Sequence, residues 1–303
     1  MSFDLPALEA AVAAHGPVMR LLIVSAAGST PRGAGCTMLV WQDGMIGTIG
    51  GGVLEYEAVA KARQMLSSGA KYQRENLALG PALGQCCGGA VVLVTERFCS
   101  GSLPKTLPFA RGPGPVSPKA RATQLQPGAL PVELDGCLIE AAPAAPQPVW
   151  IFGAGHIGRA LAAVLAPMPD LAVTLIDISQ ARMPTIAGTT PIVVADPARL
   201  ARSAPQNAWH LVVTHSHALD LAICHALLQR GFGSAGLIGS ATKWARFRKR
   251  LGALGHDNAQ ISGIACPMGD PSLGKHPQAI AVSIAAALLS PSVESLMQRE
   301  TAV

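Results

Sequence analysis

The segment FGAGHIG at residues 152–158 constrains this chain more than any other. It follows an apolar run at 149–152 and opens a helix-like run at 157–165. A second apolar run, 172–177, then ends on Asp177. In such a strand–turn–helix setting Gly153 permits the tight turn, Gly155 lets a diphosphate approach the backbone, and Gly158 lets the helix pack closely. The helix start offers free N–H groups and the positive end of a dipole to an anion. Asp177 stands where folds of this kind bind a ribose hydroxyl. The pattern predicts a Rossmann-like unit whose turn serves either as a nucleotide cradle or as fold geometry alone.

The rest of the C-terminal half keeps the same rhythm. Strands are expected at 149–152, 172–177, 191–194, 210–214 and 235–238, with helices at 157–165, 219–229, 243–251 and 278–289. Alternation of this kind implies a doubly wound parallel α/β sheet. The N-terminal half reads as a smaller α/β domain. It has a helix at 6–14, strands at 20–25, 36–41, 45–49, 72–77 and 90–96, and a helix at 53–67. The Gln42-Asp43-Gly44 turn closes a hairpin. Leu54, Ala58, Ala62 and Met65 recur at helical spacing. Between the halves, prolines crowd residues 100–148, where short strands are expected only near 124–125 and 136–140. The expected domains are an N-terminal unit at 1–99, a Pro-rich connecting region at 100–148 and a Rossmann-like unit at 149–303.

Composition removes several function classes. Of 303 residues, 50% are hydrophobic and only 4% aromatic, which suits helices packed on parallel strands better than an aromatic-rich sandwich. The longest apolar stretches fall well short of the roughly 20 residues a membrane span needs. The first residues include Asp4 and Glu9 and lack the basic start of a secretory signal, so a cytoplasmic protein is expected. The net charge of +5 suits a small anionic ligand, and no basic stripe with interleaved aromatics points to nucleic acid. Seven cysteines, two of them adjacent, do not form a disulfide framework in a chain of this length.

Those adjacent cysteines, Cys86 and Cys87, lie in the loop GPALGQCCGG at 80–89. Gly88 and Gly89 permit backbone shapes that aim N–H groups at sulfur and favour the thiolate, the form that ligates soft metals or accepts sulfur. The competing reading is two buried small side chains. Two further loops accompany them. GSTPRGAG at 28–35 carries Arg32, a planar fork suited to phosphate. The triple glycine Gly50, Gly51 and Gly52 precedes a helix with Glu55 in its first turn and offers backbone donors to an anion. Either loop alone reads as an ordinary turn. With the cysteine loop they read as one site at an edge of a small sheet.

Other segments stay open. THSHALD at 214–220 places His215, His217 and Asp220 after a strand, either as metal ligands or as capping and lining residues. The helix at 243–251 carries Lys243, Arg246, Lys249 and Arg250. These read first as a solvated basic face and second as a phosphate- or partner-binding one. Cys137, in Asp135-Gly136-Cys137 near the domain boundary, is a thiol that could reach a site.

Taken together, GSTPRGAG (28–35), IGGGVLE (49–55), GQCCGG (84–89), FGAGHIG (152–158), VTHSHALD (213–220), LIGSATK (237–243) and CPMGDPSLGKHPQAIAVSIAA (266–286) resemble the XdhC family of xanthine dehydrogenase accessory proteins. The resemblance runs in order along nearly the whole chain, and the central Pro-rich stretch carries little of it. It implies a bacterial chaperone, not an enzyme. Such a protein binds and protects the molybdenum cofactor in its molybdopterin form. It holds the cofactor while a cysteine desulfurase sulfurates the metal, then inserts it into apo xanthine dehydrogenase. By motif matching Cys87 is the first residue to carry over as a molybdenum contact, with Cys86 beside it and Cys137 retained as a further candidate. A homodimer is expected. The alternative is an NAD(P)-dependent oxidoreductase built on Gly153, Gly155, Gly158 and Asp177.

Overall fold

The computed structural model describes residues 3–80 and 88–290. Its contacts divide the chain into two compact units, Met1–Ala145 and Pro146–Val303.

In the first unit the elements run α1 (Leu5–His15), β1 (Val18–Ala27), β2 (Thr37–Val40), β3 (Met45–Gly47), α2 (Gly52–Ser68), β4 (Tyr72–Ala78), β5 (Ala90–Phe98), β6 (Phe109–Arg111), α3 (Pro118–Ala122), β7 (Val132–Leu134) and β8 (Cys137–Glu140). Asp4 starts α1 by accepting from the Ala7 N–H at 3.0 Å, and Gly16 ends it with a positive φ of 77°. Five strands form one antiparallel sheet in the order β3-β2-β1-β5-β4. Its central strand, β1, is buried on both faces from Val18 to Val24. Met19, Leu21 and Ile23 pack with Leu54, Ala58, Ala62 and Met65 of α2. Burying Leu54 and Met65 contributes roughly 2 kcal/mol each. Leu22 and Val24, on the other face, meet Leu138 of β8.

The proline-rich stretch holds more than the expected connector. Its strands form a three-stranded antiparallel sheet, β6-β8-β7, and residues up to 145 belong to the first unit. The strand expected at 124–125 is absent; that segment is irregular chain after α3. A buried charge cluster explains the attachment. Glu140 accepts from both terminal nitrogens of Arg20, at 2.8 and 2.7 Å, and also pairs with Arg111. Arg111 forks onto Glu96 at 2.7 and 2.6 Å. Two cations and two anions from β1, β5, β6 and β8 thus neutralise one another, and the Phe3 ring lies 4.4 Å from the Arg20 guanidinium carbon. Burial alone would raise the Glu140 carboxyl, but Arg20 and Arg111 outweigh it and hold it below the usual carboxylate range.

In the second unit the elements are β9 (Gln147–Phe152), α4 (His156–Leu165), β10 (Leu171–Asp177), β11 (Thr189–Val193), α5 (Pro197–Ala201), β12 (Trp209–Val212), α6 (His217–Arg230), β13 (Ser234–Leu237), α7 (Ala241–Ala253), α8 (Asn258–Ser262), β14 (Ile264–Ala265) and α9 (Pro277–Leu289). All six strands are parallel, in the order β11-β10-β9-β12-β13-β14. This is the doubly wound α/β sheet that the glycine-rich turn predicts. The chain leaves β9 for one side through β10 and returns on the other through β12, so the order reverses beside β9, where ligands bind in such sheets. Leu161, Leu165, Ile284 and Leu288 of α4 and α9 cover one face. Ile223, Leu227, Phe247 and Leu251 of α6 and α7 cover the other. Among the described residues no helix is long and apolar enough to cross a membrane.

His210, in β12, is 1% exposed. Its Nε2 lies 3.2 Å from the Pro205 carbonyl, and its Nδ1 has no partner. Burial pushes its pKa down to about 4. The unfolded chain, at the ordinary 6.5, takes up the proton first. This contribution to stability is therefore complete above about pH 6.5 and is lost as pH falls toward 4. In denaturant titrations at pH 7 and pH 5, His210→Leu is expected to lose less stability between the two conditions than the wild type; an equal loss would assign the acid sensitivity elsewhere.

Candidate functional site

Three loops meet at one end of the five-stranded sheet. β1 runs out at Ala27 into GSTPRGAG, β5 starts just after Gly88 and Gly89, and α2 starts at Gly52, the last of the triple glycine. A Cβ on Gly89 would collide with the carbonyl oxygens of Ala27 and Ser29. One on Gly28 would stand 3.2 Å from the Gly89 Cα. One on Gly50 would stand 2.6 Å from the Pro31 Cβ and 3.5 Å from the Arg32 Cγ. The glycines are therefore what lets the three backbones close on one another. Arg32 is exposed, with no hydrogen bond or ion pair to any described residue. Cys86 and Cys87 lie outside the described residues; Gly88, which follows them directly, is described.

The triple glycine differs from expectation. Gly50, Gly51 and Gly52 have φ of 126°, 74° and 64°, a backbone open chiefly to glycine. Two of these three amides, those of Gly50 and Gly51, are already used. The Glu55 carboxylate accepts from the Ile49 N–H at 3.0 Å, the Gly51 N–H at 3.1 Å and the Thr48 hydroxyl at 2.5 Å. The Gly50 N–H donates to the Thr48 hydroxyl oxygen at 3.1 Å. Burial pushes the Glu55 carboxyl up, but Thr48 and these amides outweigh it and hold its pKa below the usual value. The turn is an anion nest filled by the chain's own carboxylate. Glu55 reaches back over its helix start as first-turn acids do, and that position was the available signal.

Cys137 also differs from its expected role. It is 3% exposed at the start of β8, packed with Ala120 and Ile139 in the core of the small sheet. Its thiol points to the Asp135 carbonyl at 3.9 Å. A side chain held in this way is a packing residue.

In the second unit the glycine-rich turn has the expected geometry. Gly153 has φ of 116°, and a Cβ there would stand 2.7 Å from the Val213 carbonyl oxygen. A Cβ on Gly158 would overlap the Gly153 carbonyl oxygen, whereas one on Gly155 would meet open space. Asp177 ends β10 as expected, but its carboxylate turns inward. One oxygen accepts from the Ala154 N–H at 2.7 Å and the other from the Ser179 N–H at 3.0 Å. The residue is 5% exposed. A cleft of only about 10 Å³ remains between Gly153, Asp177, Thr214 and His215. Arg182 reaches across from the turn after β10 to the His215 Nδ1 at 2.9 Å.

His215, His217 and Asp220 do not converge. His215 faces Arg182, and His217 sits edge-on to Phe247. Asp220 is fully buried and receives the Lys243 ammonium at 2.6 Å and the Thr214 hydroxyl at 2.7 Å. Lys243 also donates to the Ile238 carbonyl at 2.8 Å. This pair ties the loop after β12 to the loop after β13. The individual motifs were visible in the sequence, but the bond between them crosses 23 positions and left no local sign. Among the described residues no cluster of three or more His, Cys, Asp or Glu could hold a metal ion.

The molecule is thus a Rossmann-type parallel α/β unit following a small α/β unit whose glycine-rich loops gather at one sheet end. Residues 149–288 match the XdhC Rossmann domain, and residues 11–75 match the XdhC and CoxI family. The two matches cover about two thirds of the chain in order, and the chain belongs to the XdhC family. No curated protein matches it in sequence. A solved structure described as a xanthine dehydrogenase from Bacillus halodurans is similar over 100% of this chain and 98% of that chain, with 20% identity and a TM-score of 0.74, which shows the shared fold. A myo-inositol dehydrogenase from Corynebacterium glutamicum aligns with 40% of this chain and 35% of its own, at 19% identity and a TM-score of 0.29. That likeness is too low to bear on the argument.

The glycine geometry makes a sharp contrast between two like substitutions. Gly158→Ala is expected to cost about 3 kcal/mol or more, because backbone would have to move. Gly155→Ala, at a φ of −73°, is expected to cost about 1 kcal/mol or less. Melting temperatures of the two variants beside the wild type check this, and equal losses would mean that the turn tolerates a wider helix–strand spacing.

Proposed function

We propose that this chain is a carrier for the molybdenum cofactor in the maturation of a xanthine dehydrogenase-type enzyme and has no substrate turnover of its own. Family membership supports the maturation role. The observation that carries the finer reading is the closure of the Gly28–Ser29, Gly50 and Gly88–Gly89 backbones on one another, with Arg32 beside Gly50 and unpaired. Cys86 and Cys87 stand immediately before that junction in the chain. Thiolates suit a soft metal such as molybdenum, and a guanidinium fork suits the phosphate of the pterin.

In this reading the two cysteines contact the metal and Arg32 receives the phosphate. Glu55 acts only as a positioning residue that locks the triple-glycine turn. The cargo is held for sulfuration by a cysteine desulfurase and passed to apo xanthine dehydrogenase, by a cytoplasmic homodimer. The oxidoreductase alternative is disfavoured by Asp177. Both its oxygens already accept from backbone amides, which occupies the carboxylate expected to receive a ribose hydroxyl.

Molybdenum and pterin content after incubation with released cofactor tests the reading. The wild type is expected to load near one equivalent. Cys87→Ser, Cys86→Ser and Arg32→Ala are expected to lower loading, about tenfold or more for the variant that removes the metal ligand. Cys137→Ser is expected to load as the wild type does, since its side chain belongs to the core of the small sheet. A wild type that takes up no cofactor would sink the proposal.

A further inference from the structure

The second unit has a further feature, a cavity lined by cations. A cavity of about 480 Å³ opens between the starts of α6 and α7. That volume falls in the range of small-molecule sites. It starts at Ser240 and His217, which follow β13 and β12, and runs along α7 as far as Arg250.

Its wall is built from α7. Thr242, Arg246, Lys249 and Arg250 all line the cavity. Their spacing of four, seven and eight residues puts them on one helix stripe, about 12 Å long. Trp244 and Leu251 occupy the buried face, and Phe247, also buried, lines the cavity as well. The helix carries five cations, Lys243, Arg246, Arg248, Lys249 and Arg250, and no acid. Lys243 turns inward to Asp220. Arg246, Lys249 and Arg250 are exposed, with no ion pair or hydrogen bond to any described residue. Ser240 and His217 add polar groups at the mouth, and no lining residue is acidic.

Three like charges on one stripe repel one another, and nothing described here offsets that cost. A bound polyanion would. An acidic protein surface could supply the charge, but a flat partner has no use for a concave site with hydroxyl donors. Linked phosphates on a small molecule use both features: the depth and hydroxyls orient them, and the spread cations match more than one charge.

We propose that this cavity is a binding site for a small molecule bearing linked phosphates, separate from the glycine-rich turn. Its cations stand along α7, whereas no cation lines the cleft beside Asp177 at that turn. The inference is independent of the cofactor-carrier reading, which concerns the first unit.

Titration calorimetry of the full chain with inorganic pyrophosphate tests it. Pyrophosphate is expected to bind, and more tightly than orthophosphate. Arg246→Ala with Lys249→Ala is expected to weaken binding about a hundredfold, the loss of two charge-assisted contacts. Arg248→Ala, which removes a charge from the same helix outside the cavity, is expected to change it about twofold or less. Gly155→Ala, which puts a methyl group where a diphosphate would approach the glycine-rich turn, is expected to leave it unchanged. All four positions are open enough for the variants to fold, which melting curves check. The proposal is overturned by absence of pyrophosphate binding, by an unchanged double variant, or by Arg248→Ala weakening binding as much as the double variant. It is also overturned if Gly155→Ala abolishes binding, or if an oligoglutamate peptide of equal charge binds as tightly, which would make α7 a docking face for an acidic protein.

Discussion

In both units of this protein a carboxylate of the chain itself takes a backbone amide of the glycine-rich turn that leads into a helix. Glu55 does this for the turn before α2, and Asp177 for the turn before α4. The consequence is structural first. Each carboxylate locks a glycine-rich turn whose backbone other residues cannot adopt, and each turn sets where a helix leaves its sheet. The second consequence concerns binding. The amides each carboxylate takes are closed to an arriving anion, while Arg32 in one unit and Arg246, Lys249 and Arg250 of α7 in the other stand exposed with no ion pair to any described residue.

The buried cluster of Arg20, Glu96, Arg111 and Glu140 plays a comparable part at larger scale. Breaking such a cluster by removing one partner typically costs about 3–5 kcal/mol, because a charge is left buried without compensation. Here the members come from four strands of two sheets. The cluster therefore ties the small sheet of the proline-rich stretch to the face of β1 and β5. With Leu138 packed on Leu22 and Val24, it explains why residues that look like a linker belong to a folded unit.

Lys243 and Asp220 show the same principle serving a different end. A buried ion pair draws Asp220 away from the two histidines beside it in sequence and leaves the motif without a metal-binding geometry. It also removes Lys243 from the basic face of α7. The remaining cations on that helix are then the ones whose charge is unanswered.

The sequence by itself determined most of the elements outside the proline-rich stretch. The spacing of Gly153, Gly155 and Gly158 with Asp177 was sufficient for the Rossmann-type unit, because a tight strand–turn–helix imposes its glycines locally. The helical recurrence of Leu54, Ala58, Ala62 and Met65 was sufficient for the buried face of α2, because periodicity alone sets which side of a helix is apolar. Tertiary structure alone decided which polar groups were already spent. Asp177 stands at the position expected of a ribose ligand, and Cys137 follows an Asp-Gly turn in the sequence, yet one is consumed by two amides and the other by a core. Both outcomes depend on partners brought close by folding. Periodicity and turn chemistry record what a residue is beside in the chain, whereas the availability of a charge or a thiol depends on what it faces in space.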